Sequence, residues 1–409
     1  MARKYSDCQD GGSGREAATQ ATTLILAEVA SSMLPIARLR DHRGMTQYEG
    51  IEAGTELLRV TPFRMGQLRE SRTRPLRPIT DESEGVTLLP LLRLGRGALA
   101  LVLLLPQIWW LRGYIQRTVH RPAIYLLSYH VSPVGLLLSH ILPGAPVVLR
   151  QQVEVPQTGL GRRLNLAALR RADLILAVSE GIRRQIAAIG VDPLRVVVRH
   201  PAMNPCFLRA PKASRTGTNV RTVAFVGRLE REKGPFAAIS AFEICAKDHS
   251  QLHLEVIGSG SLENKVKARL RQSPYRDRML WIPKLDQDAL ARRLERIDVV
   301  LMPSENEGFG RVAVESILSG CVIVGYKTGG LPEACGPGGL LVEPPSVDGL
   351  ALALNGLIAD PGVLQSLRTR GSQHAQEVVH ASATPVTALI RRTGQRQPPR
   401  TRSLFRRQF

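Results

Sequence analysis

The chain has 409 residues, with 55 Lys and Arg against 35 Asp and Glu, a net charge of +20, and 44% hydrophobic residues. That length suits two α/β domains of roughly 100–200 residues each, and the apolar fraction is that of a globular protein able to bury a core. The charge attracts polyanions, but only 4% of residues are aromatic, too few for stacking platforms on single strands; with no zinc-finger or RNA-recognition spacing, nucleic acid is set aside as a partner.

Residues 1–84 have weak periodicity. Gly11-Gly12-Ser13-Gly14 precedes a helix-like run, EAATQATTLILAEVASS, and SRTRPLRPITDESEG (71–85) reads as an exposed loop from its Pro, Ser and charge content. Residues 86–119 read as helical and strongly apolar. Within them GALALVLLLPQIWWL (97–111) is shorter than the roughly 20 residues a spanning helix needs, contains Pro106, and lies between Arg96 and Arg112. It reads as a buried or surface-docking helix whose Trp109 and Trp110 suit a bilayer interface.

From residue 123 the pattern is regular. AIYLLSY, APVVLRQQ, DLILAVS and RVVVRH read as buried strands, alternating with helices in SPVGLLLSHIL, LNLAALRRA and EGIRRQIAAIG. Such alternation predicts βαβ units and a parallel sheet, here spanning 85–210 with 1–84 as its poorly readable beginning. PKASRTGTNVR (211–221) reads as a linker. A second alternation fills 222–382, with strands TVAFVG, LHLEVIG, RMLWIP, DVVLMPS, CVIVGY and GLLVEP. The basic, Pro-containing stretch 383–409 reads as a disordered tail.

The five cysteines, Cys8, Cys206, Cys245, Cys321 and Cys335, are odd in number and widely spaced. They argue against a disulfide framework or a zinc site and fit a reducing cytoplasm. The polar N-terminus MARKYSDCQD is no signal peptide.

Three motifs carry chemistry. VGRLEREKG (226–234) leaves a parallel strand at its carboxyl end, where open α/β sheets bind ligands. Its Arg228 and Lys233 can clamp a diphosphate or stand as two surface cations. PSENEGFGRVAVES (303–316) places Gly308 and Gly310 before a helix, where small residues and free N–H groups favour an anion. Glu307, just before these glycines, and Glu315, in an otherwise apolar helix, can accept from sugar hydroxyls or stand as a capping and an exposed glutamate. TGGLPE (328–333) makes a tight loop. Asp286 and Asp288 start a helix and read as capping residues, not as a metal site.

In this order and spacing, VGRLEREKG, IGSG, DVVLMPSENEGFGRVAVESILSG and TGGLPE resemble the retaining glycosyltransferases of family 4, closely over 222–345 and less closely over 123–221. The resemblance implies a GT-B architecture: two Rossmann-like α/β domains facing across a cleft. It implies that Arg228 and Lys233 hold the donor diphosphate, that Glu307 touches the transferred sugar, and that Gly308, Phe309 and Gly310 present amides beside it. Glu315 would bind ribose, and Gly227, Gly258 and Gly260 would let the nucleotide approach. His130, ending AIYLLSYH, corresponds to a histidine facing the reacting sugar. Gly12 belongs to a stretch resembling the Gly-rich loop near the donor phosphates.

The family pattern begins with an apolar strand running into that Gly-rich loop. Here the ten residues before it are too polar for a buried strand, so the N-terminal domain is expected to lack its first strand or to start upstream. The expected function is metal-independent, retaining transfer of a sugar from a nucleotide-diphosphate sugar to a glycan or lipid-linked acceptor, in polysaccharide or glycolipid synthesis. No cofactor is called for beyond the donor. The expected location is the cytoplasm, peripheral on the inner face of an anionic membrane. A nucleotide-sugar-binding protein without turnover, and a nucleotide-sugar epimerase, remain alternative readings.

Overall fold

The computed structural model describes residues 23–27, 56–70, 72–81, 86–93, 97–119, 122–127, 133–142, 144–209, 219–382, 386 and 388–390. Gly12, Cys8, His130, most of the 211–221 linker and residues 391–409 lie outside them.

The first sheet has eight strands: β1 (Thr23–Ala27), β2 (Leu57–Arg64), β3 (Ile79–Asp81), β4 (Val86–Arg93), β5 (Pro122–Leu127), β6 (Val147–Gln151), β7 (Leu174–Ala177) and β8 (Val196–Val198). Their order is β3-β4-β2-β1-β5-β6-β7-β8, parallel except at β3–β4. The helices α1 (Met65–Glu70), α2 (Gly97–Thr118), α3 (Pro133–Ile141), α4 (Gly159–Arg171) and α5 (Glu180–Ala188) connect them. β6 and β7 are buried along their whole length, as a parallel sheet covered on both faces requires.

Three sequence expectations are corrected here. The first strand is present: TLILA, read as part of a helix, is β1 and pairs with β2 and β5 near the middle of the sheet. Because Gly11–Gly14 precede β1 in the chain, they are not the loop at its carboxyl end, and the basis for assigning Gly12 to the donor site falls. VTLLPLLR, read as helix, is β4 and runs beside β2 over eight residue pairs. A short unbroken apolar run fits a buried strand or a helix equally well, and only its partners decide. Finally, the tail read as disordered from 383 contains helical residues 388–390. Val386 and Ile390 are buried with Leu24, Leu26, Phe63 and Tyr125, so the chain returns from the second domain to the first.

The second sheet has six parallel strands: β9 (Thr222–Val226), β10 (His253–Ile257), β11 (Met279–Ile282), β12 (Val299–Met302), β13 (Val322–Tyr326) and β14 (Gly339–Val342). Its order is β11-β10-β9-β12-β13-β14, the 3-2-1-4-5-6 order of a Rossmann sheet. Around it lie α6 (Pro235–Ala246), α7 (Glu263–Gln272), α8 (Gln287–Leu294), α9 (Arg311–Leu318), α10 (Leu331–Cys335), α11 (Val347–Ala359) and α12 (Pro361–Ala381). Asp298, at the start of β12, accepts from the backbone N–H groups of Arg221 and Thr222 at 2.9 and 3.0 Å and from Arg368 of α12 at 3.0 Å. One buried carboxylate therefore ties β9, β12 and the long C-terminal helix together.

Asp286 caps α8 by accepting from the Ala289 N–H, and Asp288 pairs with Arg209. The four cysteines among the described residues are buried and form no disulfide with one another. Among the described residues no single helix is long and apolar enough to cross a membrane.

Candidate functional site

In this strand order the switch of direction falls between β9 and β12, and ligands of open α/β sheets bind outside the carboxyl ends of the strands at that point. The loops that leave β9, β10, β12 and β13 there are the four sequence motifs. Gly227 donates to the Ile257 carbonyl and Leu229 to that of Ser259, at 3.1 and 3.0 Å. Gly258 has φ +148, and a Cβ on it would lie 1.9 Å from the Gly227 oxygen; one on Gly260 would lie 2.6 Å from that of Leu229. In this structure these two glycines let one loop lie backbone-to-backbone on the next.

Lys233 ends a 3-10 turn, Arg231–Lys233, and Gly234 follows in the left-handed region. A Cβ on Gly234 would meet the Pro303 carbonyl at 2.3 Å, so the turn is pressed onto the start of the 303–310 loop, where Glu305 donates to the Glu232 carbonyl. That packing brings the Lys233 ammonium to 2.6 Å from the Glu307 carboxylate, both largely buried. Glu307 is fixed from its other side by the TGG loop: its carbonyl accepts from the Gly330 N–H at 2.7 Å. Any side chain on Gly329, at φ +52, would strike that carbonyl. The Lys233–Glu307 contact spans 74 residues of sequence.

Arg228 stands apart from this pair. It is 65% exposed and bonds Glu232, one turn along the same loop, at 3.0 Å. Glu315, on α9, is 1% exposed. Its Oε1 has no hydrogen-bond partner, and Arg311 of the same helix is 3.7 Å away. Burial pushes its carboxyl up to about 7, against the pull of Arg311.

The first domain also reaches the site, through residues to which sequence reasoning assigned no role. Ser179 caps α5, accepting from the Ile182 N–H, and its hydroxyl donates to the Gly308 carbonyl at 2.9 Å. A Cβ on Gly308 would fall 2.1 Å from the Gln152 carbonyl of the first domain. His200 stacks on Phe309 with ring centroids 4.7 Å apart and places Nε2 3.6 Å from Glu333. Glu333 also accepts from the Glu180 N–H at 2.7 Å; burial raises its carboxyl, opposed by that N–H and by His200. The signal for Ser179 was a serine between an apolar strand and a helical run, the mark of an N-cap. Nothing in sequence pointed that cap at Gly308.

Residues 209–378 match the family Glycosyl transferases group 1. The match takes in all six strands of the second sheet and every residue of the Lys233–Glu307 cluster. Over 192 residues the chain is 32% identical to the glycogen synthase of Mycobacterium tuberculosis, covering 46% of each protein. Over 252 residues it is 30% identical to a D-inositol 3-phosphate glycosyltransferase of Streptomyces bingchenggensis, covering 56% of this chain and 55% of that one. The chain thus spans about half the length of the curated relatives it matches. Among solved structures, Anabaena HepE in complex with UDP superposes with a TM-score of 0.63 over 91% of this chain and 100% of its own, at 18% identity. The fold is GT-B: two Rossmann-like domains with the glycosyl transferases group 1 match on the C-terminal one.

Proposed function

We propose that the protein transfers a sugar from a nucleotide-diphosphate sugar to a glycan or lipid-linked acceptor, with retention of configuration and without a metal. The observation that carries this reading is the Lys233–Glu307 pair at the switch point of the second sheet. An ammonium has three donors; Glu307 takes one, which leaves two for phosphate oxygens. Cleavage of the sugar–phosphate bond leaves extra negative charge on a nucleoside diphosphate and positive charge on the sugar. Lys233, joined by Arg228, would stabilise the first, and Glu307 would orient the sugar through its hydroxyls. The N–H groups of Phe309 and Gly310, ahead of α9, add donors where helix dipole and free amides favour an anion. Glu315 would accept from the ribose hydroxyls, and His130 would face the reacting sugar. The acceptor would enter from the first domain, and the work would take place on the cytoplasmic side of a membrane.

The test is a thermal-shift screen of UDP-, GDP- and ADP-sugars, because a ligand that prefers the folded state raises apparent stability. It is followed by release of nucleoside diphosphate in the presence of candidate acceptors. A rise with one nucleotide, and turnover lost in Glu307→Ala, supports the proposal; unchanged turnover in Glu307→Ala rejects this site. Isomerised nucleotide sugar in an acceptor-free incubation would replace transfer with epimerisation.

A further inference from the structure

The helix α2 buries Leu104, Ile108, Leu111 and Ile115 against the first sheet and α3. On its other side it leaves three large apolar side chains in solvent: Leu105 is 41% exposed, Trp109 60% and Trp110 42%. Leu105 and Trp109 are one turn apart and neighbours on the helix surface; Trp110 lies about 100° further round, so the three spread across the solvent side opposite the buried stripe. The indoles are held in place. The Arg112 guanidinium lies 5.3 Å from the Trp109 ring centroid, and Trp110 stacks on Tyr114 at 5.5 Å. No Asp or Glu occurs anywhere in Gly97–Thr118, while Arg112 and Arg117 lie beyond the tryptophans toward the helix C-terminus.

We propose that this face docks on an anionic lipid surface, with Leu105, Trp109 and Trp110 entering the interface and Arg112 and Arg117 meeting the headgroups. Indoles prefer the headgroup level of a bilayer, where one edge is apolar and the other wet. Cations one and two turns further on add attraction to anionic lipid, and the chain's net charge of +20 carries the molecule toward such a surface. A second copy of the chain is a poorer occupant. Two partly exposed indoles and one leucine offer a few hundred Å² per copy at most, and a stable dimer buries about 600 Å² or more on each copy. A helix lying in the interface needs only a shallow apolar face, which suits a helix whose opposite side is already committed to the core. The inference concerns binding, not turnover, and does not depend on the reaction proposed above.

The experiment uses the full chain and sedimentation with vesicles of phosphatidylglycerol and phosphatidylcholine in equal parts, against vesicles of phosphatidylcholine alone. The chain has three tryptophans, Trp109, Trp110 and Trp281, so Trp281→Phe leaves the two proposed interface indoles as the source of tryptophan emission. Binding to the anionic vesicles is expected, with a blue shift of that emission and quenching by brominated acyl chains. The double substitution Trp109→Glu, Trp110→Glu should lower vesicle affinity by about tenfold or more. Its circular dichroism and melting should stay as in the parent, because both side chains are solvent-facing. No sedimentation with anionic vesicles overturns the proposal. So does equal binding by the double variant, which would leave bulk charge as the cause. Concentration-dependent dimerisation without lipid, abolished by the same variant, would assign the face to a second copy instead.

Discussion

The Ser179 hydroxyl of one domain donates to the Gly308 carbonyl of the other at 2.9 Å, next to the glutamate that Lys233 grips. The same oxygen caps α5. Ser179→Ala therefore removes a cap, worth about 1 kcal/mol, and strips a partner from a loop carbonyl, worth about 1–3 kcal/mol if nothing replaces it. A lower melting temperature is expected, together with weaker donor binding. Thermal melts with and without the nucleotide sugar separate the two: equal losses in both would make Ser179 a structural cap only.

Gly308→Ala probes the same junction from the other side. The new methyl would sit 2.1 Å from the Gln152 carbonyl, backbone that cannot rotate away, so the two domains must part or the loop must shift. Turnover should fall steeply while far-UV circular dichroism is retained. A Gly308→Ala protein with parental donor affinity would show that this close approach is dispensable.

Arg228 and Lys233 allow charge to be separated from stability. Arg228 is exposed and pairs only within its own loop, and such surface pairs contribute little to folding. Arg228→Ala should leave the melting temperature unchanged and still lower turnover. Lys233→Ala should do more. It removes the proposed transition-state donor, an effect on the order of 10²–10³ in kcat, and it leaves Glu307 without its cation. Lys233→Arg keeps the charge but not the compact geometry, so only partial recovery is expected. If Arg228→Ala turned over at the parental rate, Arg228 would have no part in holding the diphosphate.

Glu315 sets a pH dependence. Its carboxyl sits near 7 when folded, raised by burial from an ordinary value of 4.5. Between these values the folded chain holds the proton and the unfolded chain has lost it. The contribution of this group to stability is therefore greatest below about 4.5, falls as pH rises through the window, and carries the full penalty above 7, about 3 kcal/mol. In Glu315→Gln that slope should vanish. Ribose hydroxyls donating to Glu315 would favour its ionised form, so nucleotide binding near pH 6.5, between the two values, should release a proton. Calorimetry in two buffers of different ionisation enthalpy reads this directly; identical heats would detach Glu315 from the ribose.

The second domain was largely legible in sequence because its signals are local. Each of its strands is a short apolar run ended by glycine, proline or a polar turn, and each motif sits where a strand stops. The first domain was less so. TLILA is flanked by residues that also suit a helix, and VTLLPLLR is continuous with the apolar run of α2. TLILA became a strand because β2 and β5 offer it backbone partners, and VTLLPLLR because β2 and β3 do, which no local pattern records.

The amino-acid sequence by itself determined the alternation of strands and helices over most of two Rossmann-like domains, and it placed the glycine-containing, charged motifs where strands of the second sheet end. Only the tertiary structure decided that Lys233 pairs with Glu307 while Arg228 does not, and that Ser179 and His200 reach across to Gly308 and Phe309. It also decided that Val386 returns to the first domain. The physical reason is range. Helix and strand periodicity is written over a few neighbouring residues, whereas these contacts join groups some 70 to more than 300 positions apart. Such contacts form only when packed sheets bring the loops together.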